Sequence, residues 1–104
     1  MATAEIHSGI CGFVTRVEAT LADDGQTVNL AIQSDCPAIQ KIAADLAQVN
    51  AFREITYRGE GPQVLEAARR LRHTACPVPA GIIKAVEVAA GLALPAPVTI
   101  EITP

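Results

Sequence analysis

Two runs rich in β-branched residues face each other across Asp23-Asp24-Gly25, and that punctuation constrains the fold more than any other feature of the chain. One run, from Phe13 to Thr20, reads Phe-Val-Thr-Arg-Val-Glu-Ala-Thr; in the other, from Thr27 to Gln33, Val28, Leu30 and Ile32 alternate with polar neighbours. A period of two marks strands with one buried face, and glycine after two aspartates supplies the positive φ that a tight turn needs. The pair predicts an antiparallel hairpin. A short strand is expected before it, at Glu5 to His7, followed by the bend Ser8-Gly9-Ile10-Cys11-Gly12, where flanking glycines let the backbone approach a neighbour closely.

Helical periodicity begins after the hairpin. In "SDCPAIQKIAADLAQVN", Ser34 or Asp35 can cap and Pro37 suits a first turn. Ile39, Ile42, Ala43, Leu46 and Val49 then recur at helical spacing. Phe52, Ile55 and Tyr57 suggest a brief edge strand. Gly61-Pro62 restarts the chain into a second helix, with Val64, Leu65, Ala68 and Leu71 on one side, a Glu66–Arg70 pair on the other, and an end near His73. A third helix is expected to begin at Pro79, turn Ile82, Ile83, Val86, Ala89 and Ala90 inward, and close at Gly91, with Pro95 and Pro97 preventing continuation. Val98-Thr99-Ile100-Glu101-Ile102 alternates as a last strand. The expectation is one α+β domain over residues 1–104: a two-layer sandwich whose small, mainly antiparallel sheet is covered on one face by about three helices.

Composition narrows the function classes. A chain of 104 residues with three aromatics and no Trp must build a single core from Ile, Val, Leu and Ala. Its net charge of −3 and lack of a basic, aromatic face argue against nucleic acid as a partner. The first fifteen residues lack the Lys or Arg that a secretory leader would require, and the longest apolar stretch, Ile82 to Val98, is interrupted by Lys84, Glu87 and Pro95. A cytoplasmic chain without a membrane partner is expected. Its carboxylates are scattered, and Gly9 and Gly12 precede a strand, not a phosphate-binding helix.

The chemistry-bearing residues are the three cysteines. Cys11 lies in the glycine bend, while Cys36 and Cys76 each stand before a proline at a helix mouth. Unpaired N–H groups and the helix dipole favour an anion there, so such a thiol loses its proton more readily and becomes a nucleophile or metal ligand. Three cysteines without a C-x-x-C pair make a secreted disulfide framework improbable and leave free thiols or ligands. His73, three residues before Cys76, is a candidate fourth ligand or a base for Cys76; it can equally interact with the last carbonyls of its own helix. Arg69, Arg70 and Arg72 can hold an anion near a thiolate or form a solvated face.

"SGICGF", "SDCP", "HTACPVP" and "GLALP" together resemble the motifs of a family of short, uncharacterised proteins of anaerobic prokaryotes, along nearly the whole chain. Cys76-Pro77-Val78-Pro79 is also similar to the Cys-Pro-x-Pro motif of the small two-layer sulfur carriers. That resemblance implies Cys76 as the persulfide-bearing residue, although the carriers place the motif on their first helix. Three readings stay open. In the first, Cys11, Cys36 and Cys76, with His73, water or a partner protein completing the shell, hold zinc or another soft metal ion, or an iron-sulfur cluster. In the second, Cys76 carries or transfers sulfur, or does thiol-redox work, with another cysteine resolving it and a partner protein receiving the sulfur. In the third, the cysteines pack and the domain only interacts. The strand expected near Glu54 to Tyr57, or the last one, would support a homodimer.

Overall fold

The computed structural model describes all 104 residues. Along the chain come β1 (Ala2–His7), β2 (Val14–Leu21), β3 (Thr27–Ser34), α1 (Pro37–Ala43), β4 (Gln48–Asn50), α2 (Ala51–Glu54), α3 (Gln63–Ala68) and α4 (Val78–Ala89). The strands form one antiparallel meander in the order β1-β2-β3-β4, and the expected α+β sandwich stands, with four helices in place of about three.

The turn between β2 and β3 shows why Asp-Asp-Gly starts the fold. Asp24 accepts from the Gln26 and Thr27 amides at 3.0 and 2.8 Å and from Thr27 Oγ1 at 2.6 Å, while Gly25 takes φ 74°. Those bonds, the Thr27 hydroxyl foremost, hold the Asp24 carboxyl below the usual carboxylate range. Register then follows: Val17 lies between Ala4 and Ile32, and Ala19 between Ala2 and Leu30. Thr15, Val17 and Ala19 turn to the buried side, Arg16 and Thr20 to solvent, as one-sided burial of an antiparallel sheet requires.

All the helices contribute to a single apolar cluster on that buried side. Ile39 and Ile42 of α1, Ala51 of α2, Val64 and Ala67 of α3, and Val78, Ile82, Ala85 and Val86 of α4 meet Val17, Ala19, Val28 and Leu30 of the sheet. Helix α4 lies over β1 and β2 at close range. A Cβ on Gly81 would meet Ile6 Cδ1 and stand 2.6 Å from Ile6 Cγ1, so glycine is what lets the backbone sit on β1.

Several expectations change. Helix α1 stops at Ala43: Leu46 is buried in the turn that follows, and Val49 becomes the centre of β4, paired with Val28. An apolar residue every third or fourth position served a helix, a turn and a strand in succession, and periodicity alone did not separate them. Where an edge strand was expected near Phe52 to Tyr57, the chain makes α2, capped by Asn50 through a 2.9 Å bond from the Phe52 amide. Helix α3 ends at Ala68, well short of His73. Residues 98–102 form no strand, because none of the four strands lies beside them to complete a ladder.

Candidate functional site

Backbone register brings Cys11 and Cys36 to one end of the sheet. Cys11 occupies the loop joining β1 to β2, whose last paired residues are His7 and Val14. In the next register, Thr15 faces Ser34, so Cys36, two residues past Ser34, leaves the sheet at the same end. Gly81, in the second turn of α4, rests on Ile6, the partner of Thr15. That contact seats α4 on the half of β1 next to the Cys11 loop, and Cys76 stands five residues before Gly81.

Each thiol has a different setting. The Cys11 loop is a turn closed by Gly12 N donating to Gly9 O at 2.9 Å, with both glycines at positive φ; Cys11 itself is exposed. Cys36 is half-buried against the core and stands at the N-cap of α1, where its side chain caps nothing. Its amide donates to Ser34 Oγ at 3.1 Å, and the same Ser34 oxygen receives Thr15 Oγ1 at 2.8 Å. Ser34, expected as a helix cap, thus fixes the exit of β3 instead. Cys76 is also half-buried against the core. Its amide donates to His73 O at 3.3 Å, and Pro77 follows as the N-cap of α4, with Pro79 inside the first turn.

Other expected participants stand apart. His73 is exposed beyond the end of α3, and the bond linking it to Cys76 uses its carbonyl, not its ring. Among the arginines, Arg70 pairs with Asp45 at 2.6 Å and Arg69 with Glu66 at 3.6 Å, so both are partnered by carboxylates. Sharing an end of the sheet does not make a ligand shell: no three His, Cys, Asp or Glu side chains form a group that could hold a metal ion. A depression of about 510 Å³ near Glu5, Arg16, Ser34 and Asp35 has no cysteine in its lining.

Sequence reading passed over two polar residues that build this architecture. Thr15 is fully buried and anchors Ser34; a threonine and a serine in register on the buried face of neighbouring strands were the available signal. Glu54, 1% exposed, accepts from the Gln63 and Val64 amides at 2.8 and 2.7 Å. It caps α3, because Pro62 at the N-cap has no side-chain acceptor to offer.

Fold and site define an α+β meander with helices on one face and three free thiols outside its regular elements. The chain belongs to a family of unknown function, DUF6951, whose model matches residues 2–102. No curated protein and no solved structure matches it. No helix is long and apolar enough to cross a membrane.

Proposed function

We propose that the chain is a thiol-bearing carrier domain, with Cys76 as the sulfur-accepting residue. The observation that carries this reading is the setting of Cys76: half-buried against the core, one residue before the Pro77 cap of α4. Cys76 stands just before α4, the longest helix at twelve residues against the seven of α1 behind Cys36, and a helix N-terminus favours an anion. The likeness to the Cys-Pro-x-Pro carriers supports the same residue.

The step needs no outside oxidant. The Cys76 thiolate attacks the terminal sulfur of a donor persulfide; the donor's S–S bond breaks, a new one forms to Cys76, and the donor leaves as a thiolate that takes up a proton. Passing the sulfur to an acceptor thiolate on a partner protein reverses that bookkeeping. To test this, the reduced protein is incubated with a low-molecular-weight persulfide, and the extra sulfur atom is mapped by peptide mass spectrometry. The reading expects it on Cys76, with loss of transfer to an acceptor thiol in Cys76→Ser; sulfur confined to Cys11, or undiminished transfer by Cys76→Ser, contradicts it.

A second reading keeps zinc or an iron-sulfur cluster, since Cys11 and Cys36 leave the sheet at the same end. One chain does not group three ligands, so the remaining ligands would come from a second copy or a partner. Metal analysis of anaerobically prepared protein separates the two: stoichiometric zinc or iron lost on Cys→Ser substitution favours the second, metal-free protein the first.

A further inference from the structure

Past α4 the chain carries an unmade strand. Gly91 closes the helix at φ 75°, with Leu92 N donating to Glu87 O at 2.8 Å, and no backbone bond follows: residues 93–104 belong to no element and contribute none of the loop or turn bonds. Yet Val98, Ile100 and Ile102 alternate with Thr99 and Glu101, as a half-buried strand does. They and Leu94 remain 63–90% exposed. The sequence is thus built for a ladder that the single chain does not supply.

The long unpaired edge of the sheet is the outer side of β1. On its far side β4 pairs with Thr27 to Asn29; beyond it Leu30 N donates to Ala47 O, and Ser34 O receives Gln40 Nε2. At that edge β4 itself is only three residues long, too short to receive residues 98–102. The outer side of β1 is free along six residues, enough for the five of 98–102. There Ala4 and Ile6 stay half-buried, although Val17, the partner of Ala4, is sealed.

We infer that residues 98–102 add as a fifth strand to the β1 edge of a second copy of this chain, whose own tail is received in return. Pro95 and Pro97 stiffen the spacer and hold it extended, directing the strand away from its own sheet. Val98, Ile100 and Ile102 then continue the apolar side of the sheet beside Ala4 and Ile6. At about 60–120 Å² of apolar surface per buried Val or Ile, two reciprocal tails and the edges receiving them bury on the order of 700–1,400 Å², reaching the range of specific interfaces. Free edges attract strands, and reciprocal exchange closes both.

Sedimentation of the full chain at tens of micromolar reads the assembly, with Ile100→Pro as the diagnostic variant. Proline removes an amide donor from each ladder and an isoleucine side chain from each interface, at a residue outside the core. A dimer is expected, dissociating at least about a hundredfold more readily in Ile100→Pro, with unchanged circular dichroism. Amide exchange at Thr99 to Ile102 should be slow and depend on protein concentration. A monomeric parent, a dimer indifferent to Ile100→Pro, or protection independent of concentration, the sign of pairing within one chain, each overturns the inference.

Discussion

At the residue scale, two carboxylates carry unusual structural weight. Glu54 satisfies two amides at the mouth of α3 from a position sealed against solvent. Glu54→Ala strands both donors, and should cost about 3 kcal/mol in denaturant unfolding; Glu54→Gln, which keeps one acceptor oxygen, should cost less. Equal losses in the two variants would mean that the cap is not what matters. Asp24 works at the surface and through pH. Because its folded-state pKa lies below the ordinary 3.8, driven first by the Thr27 hydroxyl, its stabilisation is complete above that value and lost as pH falls through the lower one. The stability gap between parent and Asp24→Asn should therefore hold steady from neutral pH to about pH 5, then narrow in stronger acid. A gap that widens on acidification would contradict the turn geometry.

At the element scale, the seat of α4 on β1 sets where Cys76 stands. Alanine normally suits a helix better than glycine by about 1 kcal/mol, but a methyl on Gly81 runs into Ile6. Gly81→Ala should thus destabilise by about 1 kcal/mol, and become stabilising in an Ile6→Ala background where the obstructing atoms are gone. A double-mutant cycle in denaturant measures that reversal; an unchanged sign in both backgrounds would unseat α4 from β1. Elements with strong local punctuation were legible in the sequence: the Asp-Asp-Gly hairpin, and helix α4 between Pro79 and Gly91. Those decided by distant partners were not. Val49 looked helical because its spacing from Ile42 and Leu46 is helical, yet pairing with Val28 makes it a strand. Val98 to Ile102 read as a strand because the alternation is real, although its chain provides no neighbour.

At the scale of the whole molecule, the sequence showed that Cys36 and Cys76 stand at helix mouths and Cys11 in a glycine bend, since prolines and glycines mark such places locally. It did not show that Cys11 and Cys36 leave the sheet at the same end, because that depends on register. The polar links Thr15–Ser34 and Ser34–Cys36 were invisible for the same reason. The central claim is that folding gathers three thiols around one working surface. Strands next to each other lie about 4.8 Å apart, so the ends of β1 and β3 are separated by about 10 Å, within reach of a short bifunctional thiol reagent. The direct measurement is intramolecular cross-linking in the Ile100→Pro chain, where links between copies are suppressed, with the linked pairs mapped by mass spectrometry. Links among Cys11, Cys36 and Cys76 that form in folded protein and vanish in denaturant are the predicted result; three thiols that each react singly and never link would contradict it.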